Sequence, residues 1–173
     1  MINKRGFTLV ELMIAITMLG ILMAAAMPSF NAMVGDNRIN AESNKFIANL
    51  NFSRVAASTR ASVINLSRKS ATSNDWTQGW EIYTDQDATG NTVRVVADTL
   101  LRDVNPLDDG ITVNTSTPGN AWISFNTNGM LNENGNTVVV AFCDDRGEAS
   151  GRDITIGITG RVRVSAPSLD CTP

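Results

Sequence analysis

From Phe7 to Met27 the chain runs for 21 residues with a single charge, Glu11. As a helix, such a run is about 31 Å long at 1.5 Å per residue, which matches the hydrocarbon core of a bilayer. Lys4 and Arg5 stand just before it. By the positive-inside rule they stay cytoplasmic and the rest of the chain is exported. On the apolar run alone two other readings stay open. One is a cleaved secretory signal with Ala24-Ala25-Ala26 as its small-residue site, although such signals have shorter apolar cores of about 7 to 15 residues. The other is a plain membrane anchor. Neither accounts for Glu11. A carboxylate at the bilayer centre costs about 2.5 to 3.5 kcal/mol, less near the interface, and is tolerated when it has a partner.

The string Gly6-Phe7-Thr8-Leu9-Val10-Glu11 resembles the type IV prepilin motif, and the resemblance extends through the apolar helix to Pro28. It implies a leader, residues 1–6, removed by a prepilin peptidase of the inner membrane that cuts after Gly6 and methylates the new terminal residue, Phe7. It implies that Glu11 pairs with the terminal amine of a neighbouring subunit, which neutralises both charges in an apolar filament core. Pro28 falls where pilins commonly carry proline. It lacks an N–H and should kink or loosen the helix, unless it ends it.

The residues after Pro28 argue against a stop. Residues 29–60 hold no proline and one glycine, and Ile39, Phe46, Leu50 and Ala57 make a helical stripe. Ser43 and Ser53 are small polar interruptions. Arg38, Glu42, Lys45, Asn49 and Arg60 fit a solvated face. The expectation is one helix over 7–60, with a membrane half to residue 28 and an amphipathic half over 29–60. Residues 61–173 then form a β-rich head. Strands are expected at 62–67, 79–83, 93–97, 111–114, 122–126, 137–142, 153–158 and 161–165. Tight turns between neighbours make the arrangement antiparallel, so the fold class is α+β: a long N-terminal helix packed on an antiparallel sheet or sandwich. Trp76, Trp80 and Trp122 read as core residues.

Composition narrows the chemistry. There is no histidine, which excludes Ser-His-Asp and Cys-His nucleophile pairs and His-based zinc sites. Two cysteines, Cys143 and Cys171, are too few for an all-Cys metal site. The stretch from Asp85 to Gly90 resembles the start of a calcium loop, but Val96 stands where its final Glu would be, so a hairpin turn is the reading. No catalytic residue, metal or cofactor is expected, and the chain does not read as an enzyme. The net charge is −3, and loss of residues 1–6 with Lys4 and Arg5 would take it to −5, so any nucleic-acid site must be a local patch.

The head carries its own resemblance. Trp76-Thr77-Gln78-Gly79-Trp80, continuing to Asp85, resembles the W-x-x-GW stretch of the GspH/FimT family. Phe125 to Gly129 resembles that family's F-x-x-x-G hairpin, and Phe142-Cys143-Asp144 with Gly160-Arg161-Val162-Arg163 resembles its C-terminal signature. The family implies a minor pilin that initiates, caps or decorates a type IV pilus, with other pilins as partners. It implies a single pass of the bacterial inner membrane and a periplasmic head. A GspH-like pseudopilin of a type II secretion system is the alternative. The cysteines suit an oxidising compartment. A Cys143–Cys171 bond would tie down the tail and stabilise by about 3.6 kcal/mol in the chain-entropy model. Two free thiols remain the alternative. On a strand, Arg161 and Arg163 point to one face about 6.6 Å apart, each able to grip a phosphate. In FimT-type proteins such a tail is implicated in binding double-stranded DNA for natural transformation, which makes a dedicated DNA-uptake receptor a further alternative. Solvated arginines paired with Asp144, Asp145 or Asp153 are the bland reading, and such surface pairs contribute little.

Overall fold

The structure, a computed structural model, describes residues 6–69, 76–86, 94–116, 121–132, 136–147 and 150–165. Helix α1 spans Leu9–Arg60 and continues through Pro28. It begins two residues later than expected because Thr8 caps it. It ends in a Schellman arrangement: Ala61 adopts φ +49°, and the Ser62 N–H donates to the Ala57 carbonyl at 3.3 Å. The chain divides into two compact units, Met1–Asn37 and Arg38–Pro173.

In the first unit every described side chain from Phe7 to Val34 is exposed, and most are large and apolar. This is the part of α1 long and apolar enough to cross a membrane.

Among its described residues the second unit holds the rest of α1 and eight strands: β1 (Val63–Arg68), β2 (Trp80–Asp85), β3 (Thr99–Val104), β4 (Ile111–Thr115), β5 (Trp122–Phe125), β6 (Val138–Asp144), β7 (Arg152–Ile156) and β8 (Val162–Ser165). They form two four-stranded sheets, ordered β3-β2-β1-β5 and β4-β6-β7-β8, with antiparallel pairing throughout. Both sheets turn their apolar side chains into one core. Ile64, Leu66 and Ile82 come from the first, Val140, Phe142 and Ile154 from the second, and the stripe Ile39, Phe46, Leu50 and Ala57 from α1. Phe46 joins all three. Its ring meets Trp76 and Trp80 edge-on at 5.8 and 5.0 Å, and Phe142 of β6 at 5.4 Å.

Three expectations need correction. Glu42 and Asn49 are buried rather than solvated. Glu42 pairs with Lys45 at 3.2 Å, and Asn49 accepts from Arg102 of β3, whose guanidinium lies over Phe52 at 3.7 Å. Burial of a polar group is tolerated when it is bonded in this way. Of the expected strand at 93–97, Val93 lies outside the described residues. Val95 and Val96 are exposed, and the strand begins at Thr99 instead. The cause is Asp98. Its carboxylate accepts from Val95 N at 2.8 Å and Gln86 N at 3.1 Å, closing a turn where β-branched content suggests a strand. Trp122 is only half buried, whereas Trp76 and Trp80 are fully buried as expected.

Ser43 and Ser53 are fully buried and donate to the carbonyls of Ile39 and Asn49 at 2.6 and 2.9 Å, so small hydroxyls sit in the core at no unpaired cost. Because Phe46 spans helix and both sheets, Phe46→Ala is expected to destabilise the head by about 3 to 5 kcal/mol. Denaturant unfolding of the detergent-solubilised chain, followed by tryptophan fluorescence, measures it.

Candidate functional site

The residues that the sequence singles out for function lie in two places, one toward each end of the chain. At the N-terminus Gly6 and Phe7 are exposed and precede the helix. Thr8 and Glu11 form a reciprocal cap. Thr8 Oγ1 accepts from Glu11 N at 3.2 Å, and Glu11 Oε2 accepts from Thr8 N at 3.0 Å and from Thr8 Oγ1 at 2.9 Å. This is a capping box, a Thr with a Glu three residues on, and it satisfies helix donors that would otherwise stand bare in an apolar medium. The sequence reading assigned Glu11 to a partner subunit alone. The Thr-x-x-Glu spacing was the signal for this second role.

At the other end, the Gly157–Gly160 turn leads into β8. Gly160 N donates to Gly157 O at 2.8 Å, and Gly157 N donates to Arg161 O at 2.9 Å. β8 begins at Val162, one residue later than expected, so Arg161 borders the strand and Arg163 lies within it opposite Thr155. Val162 packs on the core. By strand alternation Arg161 and Arg163 therefore share the opposite side, and both are exposed. Neither makes an ion pair among the described residues. Asp144 bonds Arg146 instead, at 2.7 Å to Nη2, and Asp153 is fully buried. The bland pairing expected from sequence is thus absent for Asp144.

Gly160 cannot be replaced cheaply. Its φ is +73°, and a β-carbon there would lie 2.4 Å from the Gly129 carbonyl oxygen and 3.1 Å from Arg54 Cδ. Three stretches meet at this point: the β7–β8 turn, the hairpin after β5, and the last turns of α1. Arg54 Nε donates to Gly129 O at 3.2 Å, and Leu131 N donates to Ile158 O at 2.9 Å. Gly79 is held for the same reason, since a β-carbon would fall 2.2 Å from the Val104 carbonyl oxygen.

Cys143 is buried on β6 and is not a free thiol. Cys171, its expected partner, lies outside the described residues, as do Asp87, Thr89 and Gly90 of the calcium-like stretch. Asp85 is buried, and its Oδ2 accepts from Asn65 Nδ2 at 3.1 Å. A cavity of about 390 Å³ beside it is lined by Ala61, Ser62, Val63, Asp85, Gln86 and Thr127. No group of three metal-ligating side chains occurs among the described residues.

The exposed apolar helix and the two-sheet head define a pilin-like protein, and the comparisons agree. Residues 1–27 match the prokaryotic N-terminal methylation motif, and residues 42–160 match the type II transport protein GspH. The chain belongs to the GspH family, a structural family of minor pilins and pseudopilins. Among solved structures it is similar to the type IV minor pilin FimU of Pseudomonas aeruginosa, with a TM-score of 0.62 and 20% identity over 79% of this chain and 96% of that one. It is also similar to the minor pseudopilin EpsH of the Vibrio cholerae type 2 secretion system, with a TM-score of 0.52 and 10% identity over 76% and 99%. At these identities the likeness is one of fold. No curated protein sequence matches. Membership carries with it membrane anchoring through the N-terminal helix and association with other pilins in a pilus or pseudopilus.

Tyr83, fully buried on β2, gives the head a pH limit. Burial pushes its phenol above the ordinary value, and the nearby Asp98 and Asp85 add to this against hydrogen bonds involving Asn65 and Ser67. Above about pH 10 the unfolded chain loses the tyrosine proton while the folded chain keeps it. The unfolded state then binds fewer protons, so stability falls as pH rises from the ordinary value toward the raised one, and is unaffected below it. Tyr83→Phe should flatten that alkaline fall. Thermal unfolding between pH 8 and about pH 11 checks the difference.

Proposed function

We propose that the chain is a minor pilin of a bacterial type IV pilus, acting in pilus assembly and tip initiation, and that its head binds double-stranded DNA for natural transformation. The observation that carries the assembly part is the exposed apolar side of α1 from Phe7 to Val34 next to the Thr8–Glu11 box. Residues 1–6 are the leader, 7–28 the membrane and filament segment, 29–60 its amphipathic continuation and 61–173 the periplasmic head. A prepilin peptidase cuts between Gly6 and Phe7 and methylates Phe7 at the inner membrane. The new terminus of one subunit lies beside Glu11 of another, and Pro28 lets the segment adapt in the filament core. A Cys143–Cys171 bond, supported by the absence of a free thiol at Cys143, ties down the tail. No step of this function calls for catalysis.

The reading is tested at the N-terminus first. Mass spectrometry of the purified membrane form should find methylated Phe7 as the first residue. Met1 retained, or a terminus near Ala26, would overturn it.

A pseudopilin of type II secretion is the second reading, favoured by the family description and the fold of EpsH. The higher similarity to FimU supports the pilus. A deletion strain separates them, through loss of pilus-dependent motility and transformation or loss of exoprotein secretion.

DNA binding rests on Arg161 and Arg163, which are exposed and have no carboxylate partner among the described residues in a protein of net charge −3. Two phosphate contacts contribute about −1.8 to the log–log salt slope, so single-copy binding is weak and salt-sensitive, and several copies on a filament raise avidity. Replacing both by Gln should remove that contribution and lower transformation while pili still assemble. Electrophoretic mobility shift at low salt is the measurement, and unchanged binding removes both arginines from the site.

A further inference from the structure

Among the described residues, Lys45, Lys69, Arg94 and Arg146 pair with carboxylates. Arg54 does not. It lies on a stretch, Ser43 to Asn74, that contains five Lys or Arg and no Asp or Glu. Its side chain runs against Gly160, the residue before Arg161: a β-carbon at Gly160 would come within 3.1 Å of Arg54 Cδ and Nε. Nε is spent on the Gly129 carbonyl. The Nη groups engage no acceptor among the described residues, and Arg54 is exposed.

We propose that Arg54 is a third phosphate contact, acting with Arg161 and Arg163 on double-stranded DNA; this rests on the DNA-binding reading above. A guanidinium has five N–H donors, so one can anchor the side chain while the remaining four face a ligand. The anchor fixes the side chain before DNA arrives, so less rotamer freedom is lost on binding. The Gly129–Gly160 contact then serves a purpose beyond packing. It brings a helix arginine to the turn that leads into the strand arginines, and the acid-free stretch around Arg54 leaves it without a carboxylate close in sequence.

Three contacts should give a salt slope of about −2.7, against about −1.8 for two. The test uses the full mature chain in detergent micelles, a fluorescent DNA duplex and anisotropy over a sodium chloride series. Arg54→Gln should weaken binding and reduce the slope by about 0.9, and Arg54→Lys, which keeps the charge, should keep the slope. Thermal unfolding of both variants guards against a folding effect. A lowered midpoint with an unchanged slope assigns Arg54 to structure alone and overturns the proposal. A slope unchanged in Arg54→Gln but reduced in the Arg161→Gln, Arg163→Gln double variant overturns the Arg54 contact and leaves the pair intact. No effect in the double variant overturns the reading beneath both.

Discussion

Helix α1 is apolar on more sides than any one neighbour can cover, and the rest of the structure answers that fact. From Ile39 onward its stripe is covered by two sheets that meet around Phe46. Before that, from Phe7 to Val34, every described side chain is exposed. Exposing a large apolar side chain to water forgoes roughly 1.5 to 3 kcal/mol relative to burial. A segment with this many such residues therefore needs lipid or the helices of other subunits. Membrane anchoring and filament assembly are two ways to meet one requirement, and a pilin family uses both.

The start of that helix shows how the charge is managed. In an apolar medium the first helical N–H groups need acceptors as much as Glu11 needs donors. Thr8 and Glu11 answer both needs within one chain. The cap uses Oε2 of Glu11, and the other carboxylate oxygen is the one that the proposed pairing with a neighbouring amine would use. The box thus holds the carboxylate in a defined position.

Much of this was legible in the sequence, because hydrophobic period and glycine chemistry are local signals. The stripe Ile39, Phe46, Leu50 and Ala57 is buried as read, and seven of the eight strands lie within two residues of expectation at their starts. What was missed depends on contacts distant in sequence. Asn49 looks solvated until Arg102 of β3 arrives, and Val95 and Val96 look like a strand until the Asp98 carboxylate turns the chain. Gly160 is legible as a turn glycine, but its second reason, the Gly129 carbonyl against it, is tertiary. Arg54 gave no signal of its own beyond the acid-free stretch around it.

β8 is one of the two outermost strands of its sheet, as β3 is of the other. An outermost strand is a template on which a second copy can pair, and heads concentrated along a membrane or filament meet each other often. Arg163 on β8, with Val164 half exposed beside it, and Arg102 and Asp103 on β3 place charge where such pairing would occur. The arginine proposed to attract a polyanion also repels its own duplicate, so the edge that invites one partner keeps identical heads from fusing into a common sheet.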